Sequence, residues 1–310
     1  MKLISVISPC YNEEGNVEIL IDRVRAIFAG LPQYRYEHII IDNHSTDRTL
    51  EVLRCEASKD SHVKVIVNAR NFGHIRSPHH AFLQASGDAV IVLLSDLQDP
   101  PEMIVDFLRE WEAGWPIVVG IKSTSDESSL MYQIRSVYYK TVARLTDVKV
   151  LEHFTGFGLY DRKVVDILKN DFRDPQPYFR GQIAEIGLPH KTIEYNQKRR
   201  MRGITKNNFY TLYDLAMLGI TNLSKVPLRL VVFGGFVCAV LSLIAGFLYL
   251  IAKLIFWNQF QLGLAPTMIG LFFLGSVQLV AIGIIGEYVG SIHTIVQSRP
   301  LVTEKERINF

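Results

Sequence analysis

The sequence has few cysteines and no motif that groups them. Its 310 residues contain three, Cys10, Cys55 and Cys238, which lie far apart and are odd in number. Without a CxxC pair or a cysteine–histidine pattern, the sequence predicts neither a disulfide framework nor a zinc site. This cysteine usage is typical of a reducing compartment.

An excess of either charge is also lacking, since 33 Lys and Arg stand against 31 Asp and Glu. The sequence therefore gives no indication of a nucleic-acid partner. The N-terminus does not read as a signal peptide, because its apolar run at 3–8 is short and meets Pro9. We expect the N-terminal domain to stay in the cytoplasm.

Charge is missing from two long stretches near the C-terminus. Residues 230–252 carry none, and after Lys253 no acid or base follows until Glu287. About 20 apolar residues cross a bilayer, so region 229–290 predicts two transmembrane helices, at about 230–252 and 264–285. A pair of buried core helices is the alternative.

Basic residues cluster before the first span and after the second, in the predicted basic tail 291–310. The positive-inside rule therefore predicts a multi-pass protein of the inner (cytoplasmic) membrane with both termini cytoplasmic. Region 208–228 has a broad apolar face. It predicts an amphipathic helix that lies either in the membrane interface or against the preceding domain.

Short apolar runs alternate with amphipathic stretches over residues 1–207. The predicted strands are 3–8, 38–42, 63–67, 89–94 and 117–120, and the predicted helices are 14–28, one from Thr46, and 100–112. This alternation indicates an α/β domain with a mostly parallel sheet covered on both faces. Ligands bind such sheets beyond the carboxyl ends of the strands, where polar clusters follow strands one, two and four.

The fourth strand is followed by DLQDPPE at 96–102. The Asp96 carboxylate and the Gln98 amide oxygen could bind one Mg²⁺ or Mn²⁺ together with diphosphate oxygens. We interpret Asp99 as an N-cap for the helix that begins at Pro100 and Pro101.

Six motifs in order resemble one family: SVISPCYNEE (5–14), DNHSTD (42–47), RNFGH and ASGD (70–74, 85–88), DLQDPPE (96–102), RMRGITK (200–206), and GEYVG (286–290) before Arg299 and Pro300. They resemble the family 2 glycosyltransferases with a GT-A (Rossmann-like) fold, and among them the polyprenyl-phosphate glycosyltransferases. The resemblance implies an inverting transferase that moves a sugar from a nucleotide sugar to undecaprenyl or polyprenyl phosphate, for cell-surface glycan modification.

The resemblance also implies roles for individual residues. Asp96 would be catalytic and, with Gln98, would bind Mg²⁺ or Mn²⁺. The nucleotide-sugar site would comprise Pro9, Tyr11, Glu13, Asp42, Ser95 and Asp96. Asp42 would lie beside the base or ribose, although it could equally cap the helix near Thr46. The lipid-phosphate site would comprise Lys122, Arg135, Arg200, Arg202 and Lys206. Ordinary positive-inside charge is the alternative for the last three.

Several positions depart from the family pattern: Leu94 and Asn43 replace aspartates, Gly156 and Gly158 replace an Asp and an Arg, and Met131-Tyr132 replaces a Lys-Arg pair. The pair His79 and His80 is also unusual. Either could contact sugar or phosphate, but exposed helix positions are the commoner case.

Two other functions compete: a family 2 transferase with a glycan acceptor, and a non-catalytic membrane scaffold. The sequence leaves the sugar open, although the resemblance favours a UDP-linked hexose. It is compatible with a homo-tetramer without demanding one.

Overall fold

The computed structural model describes residues 1–124, 154–197, 217–221, 224–256 and 264–310. The elements of the sheet domain up to residue 124 are β1 (Lys2–Cys10), α1 (Val17–Ala29), β2 (Tyr34–Asp42), α2 (Thr49–Lys59), β3 (Val63–Asn68), α3 (Gly73–Gln84), β4 (Ala89–Val92), α4 (Met103–Glu112) and β5 (Ile117–Thr124). They are followed by β6 (Phe154–Asp161), α5 (Arg162–Asn170), α6 (Phe179–Ile186), β7 (His190–Asn196), α7 (Val226–Ile255), α8 (Leu264–Val296) and β8 (Glu304–Ile308).

The strands form one sheet in the order β7-β5-β6-β4-β1-β2-β3-β8. Its centre is parallel, because β1 pairs in parallel with both β2 and β4, and β2 does so with β3. β6 runs antiparallel to β4 and β5, and β8 runs antiparallel to β3. The predicted α/β domain with a mostly parallel sheet is confirmed.

Helices cover both faces of the sheet. On one face Leu20 of α1 and Phe107 of α4 join a core cluster with Ile4 and Val6 of β1. On the other face α3, α5 and α6 contribute apolar side chains such as Phe82 to a second cluster. β1 and β2 are therefore buried from both sides, which explains their near-continuous apolar sequences.

The helices α7 and α8 carry the two apolar spans. Val226–Tyr249 and Gly270–Val296 are long and apolar enough to cross a membrane, and neither is buried within the chain. The alternative of two buried core helices is therefore not supported. Both helices extend beyond the predicted spans, α8 as far as Val296. Of the predicted amphipathic region 208–228, residues 208–216 and 222–223 lie outside the described residues; 217–221 are helical, and α7 already begins at Val226.

The segment assigned to a basic tail contains a strand that the sequence analysis did not predict. β8 pairs antiparallel with β3, with Ile308 opposite Val65. Arg54 of α2 holds it through an ion pair of 2.6 Å to Glu306. The chain therefore returns from α8 to the edge of the sheet, which ties the apolar helix to the α/β domain.

Candidate active site

The carboxyl ends of β1, β2 and β4 lie side by side. Cys10 at the end of β1 is opposite Asp42 at the end of β2, and Ile7 of β1 is opposite Val92 of β4. The loops that follow these strands therefore emerge together at one edge. The structure thus brings together the predicted residues of loops 11–14, 42–49 and 93–102, at the position where parallel sheets bind ligands.

The loops after β1 and β2 are joined by hydrogen bonds. Asn12 has a left-handed backbone (φ 57°), a conformation that asparagine tolerates better than most residues. Its backbone N–H donates to Ser45 Oγ at 2.9 Å, and its Oδ1 accepts from the Thr46 N–H at 2.7 Å. The Glu13 N–H donates to Thr49 Oγ1 at 2.8 Å. This mutual support fixes the backbone on both sides of Glu13.

Asp42 is buried, with 1% of its surface exposed. Both of its carboxylate oxygens accept a hydrogen bond from the Ser45 backbone N–H, each at 3.2 Å from the nitrogen. The side chain therefore closes the turn before α2. Burial raises the pKa of this carboxyl, and the hydrogen bonds from Ser45 oppose that effect. The geometry is that of a capped turn, and a role of Asp42 in nucleotide binding stays a prediction. Pro9 and Tyr11 are partly buried at the same edge.

Asn43, which replaces the expected second aspartate, organises the loop after β3. Its Nδ2 donates to Asn71 Oδ1 at 3.0 Å and to the Gly73 carbonyl at 3.1 Å. Its Oδ1 accepts from Asn68 Nδ2 at 3.0 Å and from the Phe72 N–H at 2.9 Å. An aspartate could accept two such bonds but donate neither of the others. The local network therefore explains why an amide stands at this position.

The metal motif forms a tight turn after β4. Leu97 has a left-handed backbone (φ 58°), and Asp96 Oδ1 accepts from the Gln98 N–H at 3.2 Å. The described residues contain no group of three or more His, Cys, Asp or Glu side chains that could bind a metal. Asp96 and Gln98 still suit Mg²⁺, which commonly takes one or two carboxylates and completes its shell with phosphate oxygens and water.

An unpartnered hydroxyl lies next to this turn. Ser95 is 2% exposed, and its Oγ has no hydrogen-bond partner within the described part of the chain. Buried polar groups are normally hydrogen-bonded, so an exception at a strand end points to a ligand or a water. The assignment of Ser95 to the nucleotide-sugar site stays a prediction.

The interpretation of Asp99 as an N-cap is wrong. The N-cap of α4 is Glu102, and no side chain caps that helix end. Asp99 is instead fully buried and accepts a hydrogen bond of 2.5 Å from the Tyr195 hydroxyl of β7. Its other oxygen, Oδ2, has no partner among the residues that the structure describes. The two prolines set the start of the helix without using the preceding acid as a cap.

Asp99 also belongs to a short polar chain that reaches β5. Gln197 Nε2 donates to Asp99 Oδ1 at 3.4 Å, and Gln197 Oε1 accepts from Lys122 Nζ at 2.7 Å. The metal turn and the predicted phosphate-binding Lys122 are thereby connected. Neither Tyr195 nor Gln197 was among the predicted site residues. Tyr195 lies in β7 and Gln197 directly follows that strand, so their spacing of two along an extended segment was the available signal.

The local backbone explains why two positions of β6 are glycine where an Asp and an Arg were expected. Gly156 has φ +103°, where an L side chain is strained. At Gly158 an added Cβ would lie 2.5 Å from the Val118 carbonyl oxygen of β5. Neither family residue fits this backbone without a shift.

The other predicted phosphate-binding residues, Arg135, Arg200, Arg202 and Lys206, lie outside the described residues, as do Met131 and Tyr132. Neither unusual histidine occupies an exposed helix position. His79 is 5% exposed and its ring lies 6.1 Å from that of Phe179, while His80 Nε2 is 2.5 Å from Glu304 Oε1 of β8.

Comparison with known proteins places these features in a family. The model of "Glycosyl transferase family 2" matches residues 5–168. An uncharacterized glycosyltransferase of Synechocystis sp. is 33% identical over 96% of this chain and 93% of its own. The bactoprenol glucosyl transferase of Shigella phage SfX is 32% identical over 98% of this chain and 99% of its own. A crystal structure of glucosyl-3-phosphoglycerate synthase from Mycobacterium tuberculosis with Mn²⁺, UDP and phosphoglyceric acid is 18% identical, with a TM-score of 0.47, over 71% of this chain and 76% of that one.

Proposed function

The chain belongs to glycosyl transferase family 2, and we propose that it transfers a sugar from a nucleotide-diphosphate sugar to a polyprenyl phosphate in the membrane. The observation that carries the proposal is the length of the similarity. Relatives named bactoprenol glucosyl transferase match 96% or more of this chain, a length that must include both apolar helices. A similarity confined to the sheet would support only sugar transfer to an unspecified acceptor.

The donor site in this proposal is the edge formed by β1, β2 and β4. Asp96 and Gln98 would hold Mg²⁺ or Mn²⁺, which when bound would stabilise negative charge on a departing nucleotide diphosphate. Ser95 has a buried hydroxyl without a partner among the described residues, and it would donate to the donor substrate. The hydrogen-bonded loops after β1 and β2 would present Tyr11 and Glu13 to the nucleotide, which we propose to be a UDP-linked hexose.

The acceptor needs cations rather than a strong base. A phosphate monoester has a second pKa near ~6, so its oxygen is already anionic at neutral pH. Lys122, held at the end of β5 by Gln197, would attract that phosphate, together with Arg135, Arg200, Arg202 and Lys206. In-line attack would then invert the anomeric centre, with catalysis by positioning.

The spans give this reaction a location. With basic residues on both outer flanks of the two helices, the positive-inside rule supports a cytoplasmic catalytic domain on the inner membrane. The acceptor phosphate would then lie at the surface from which the sheet domain works.

Product partitioning tests the proposal. The purified full-length protein is incubated with labelled nucleotide sugars and either undecaprenyl phosphate or a soluble oligosaccharide acceptor. Label that enters the organic phase only with undecaprenyl phosphate supports the proposal. Label that appears only on the oligosaccharide refutes the lipid acceptor. An absence of transfer to either acceptor supports a non-catalytic relative, in which the replacements at Leu94 and Gly156 would account for the lost activity.

A further inference from the structure

A cavity of about 590 Å³ lies where the α/β domain meets α8. Its walls come from the start of α3 (residues 72–76), from the helical segment 217–221 and from the C-terminal half of α8. The Tyr288 hydroxyl of α8 donates to the Ser224 carbonyl at 2.6 Å, which holds α8 against the start of α7. The cavity is separate from Asp96 and from the residues proposed to bind the nucleotide, none of which line it.

One face of α8 forms one wall of this cavity. The lining positions on α8 are Gly283, Gly286, Glu287, Gly290, Ser291 and Thr294. Their spacing of three and four residues places them on a single helix face, about 16 Å long at 1.5 Å per residue. A Cβ added at any of the three glycines would meet no atom within 4 Å. The glycines therefore leave an open groove along a helix that is otherwise lipophilic.

The wall of the cavity that α3 forms carries a cation. Arg76 lines it, and its Nε is buried without a hydrogen-bond partner among the described residues. The guanidinium donates through Nη2 to the Pro300 carbonyl at 2.6 Å, just beyond α8. Burial lowers the pKa of Arg76, and the nearby charges of Arg70 and Arg299 lower it further. An anion would relieve this repulsion.

Two cations are held there by one aromatic ring. The guanidinium carbons of Arg70 and Arg76 lie 4.1 and 5.4 Å from the centre of the Phe72 ring. Glu287 also lines the cavity, whereas Arg70 and Arg299 add positive charge near Arg76 without lining it. A cavity that is lined by the glycine face of an apolar helix and by a guanidinium group, with two further arginines nearby, is complementary to a lipid with an anionic head.

We propose that this cavity is a docking site for the polyprenyl phosphate acceptor, with the phosphate at Arg76 and the first part of the chain along the glycine face of α8. This inference rests on the proposed function. The head charge favours this lipid over bulk phospholipids, because a phosphate monoester carries about −1.5 to −2 charges at pH 7. A single groove also suits one chain better than two. From this position the head would move to the catalytic edge.

Filling the groove tests the proposal without threatening the fold, because the glycine sites are open. The full-length protein in detergent is titrated with radiolabelled undecaprenyl phosphate, comparing Gly286→Leu/Gly290→Leu and Arg76→Gln with wild type. Gly275→Leu, on α8 outside the cavity and with no atom within 4 Å of the added Cβ, is the matched control for the glycines. Arg54→Gln, which removes another contact to the C-terminal segment, controls for the loss of the Arg76–Pro300 bond.

We expect the two test variants to bind undecaprenyl phosphate about tenfold more weakly, or about 1.4 kcal/mol, and both controls to bind like wild type. In the transfer assay, KM for the lipid should rise while kcat and KM for the donor stay unchanged. Undecaprenol and phosphatidylglycerol should compete poorly. Unchanged binding in the double-leucine variant, or equal competition by phosphatidylglycerol, overturns the docking site. If no donor yields a lipid product but binding is lost in the two variants, the docking site stands and the proposed function falls.

Discussion

Replacing Asn43 by aspartate restores the acid that the family pattern leads us to expect, and it should destabilise this chain. The substitution removes both hydrogen bonds that the amide donates, to Asn71 Oδ1 and to the Gly73 carbonyl, at a site that is 7% exposed. Asn71 Oδ1 keeps the Gly73 N–H as a donor at 2.8 Å, so the loss is that of two hydrogen bonds, each worth about 0.5–1.5 kcal/mol, with added repulsion between the new carboxylate and the two acceptor oxygens. The carboxylate recovers part of this loss, because bonds from Asn68 and Phe72 become charge-assisted.

The net loss should be about 2 kcal/mol, which corresponds to a fall in Tm of about 4–8 °C for a domain of this size. Thermal unfolding of the full-length protein in detergent measures it, and hydrogen exchange should show lost protection in residues 68–73. Asn170→Asp, at the exposed end of α5, is the control and should leave Tm unchanged. If Asn43→Asp has the same Tm as the Asn170→Asp control, the hydrogen bonds of the Asn43 amide do not stabilise the fold as argued.

Three further changes have defined outcomes. Gly158→Ala should lower Tm by several degrees in a thermal shift assay, because its Cβ would meet the Val118 carbonyl at 2.5 Å; a wild-type Tm would show that the strands separate easily. Tyr195→Phe removes the hydroxyl that donates to buried Asp99 and should lower kcat for sugar transfer more than it raises KM for the donor; an equal change in both would contradict a positioning role. Burial lowers the pKa of His79 to about 4, so as the pH falls the unfolded chain binds a proton at His79 before the folded protein does. The free energy of unfolding should therefore decrease as the pH drops from about 6.5 toward 4. An equally steep decrease in His79→Met would assign the loss to other groups.

The sheet could be predicted from sequence because its strands carry their own signal. β1 and β2 are buried on both faces, and their apolar runs gave positions within a few residues of the observed strands. β8 has no such signal, since four of the five residues of EKERI are charged and only Ile308 is apolar. Its pairing with β3 depends on how the chain returns from α8, which is a property of the tertiary structure.

In the candidate site too, some residues could be predicted from the local sequence and others only from the folded structure. Asp96 and Gln98 stand at a strand end, where local sequence and topology both indicate a ligand edge. The role of Asp99 was not predictable, because its partner Tyr195 is distant along the chain and the adjacent prolines favoured a cap. Gly158 could be recognised only as a missing arginine, whereas the close approach of β5 that requires glycine there needs the folded backbone.

Turnover decides whether this chain loads a polyprenyl phosphate with a sugar. Purified wild type, Asp96→Ala and the control Asn170→Asp are incubated with undecaprenyl phosphate, Mg²⁺ or Mn²⁺, and a panel of radiolabelled nucleotide sugars. We predict an organic-extractable product from one donor with wild type and the control, and its loss in Asp96→Ala and in chelator. Nucleotide binding without a lipid product from any donor would contradict the account.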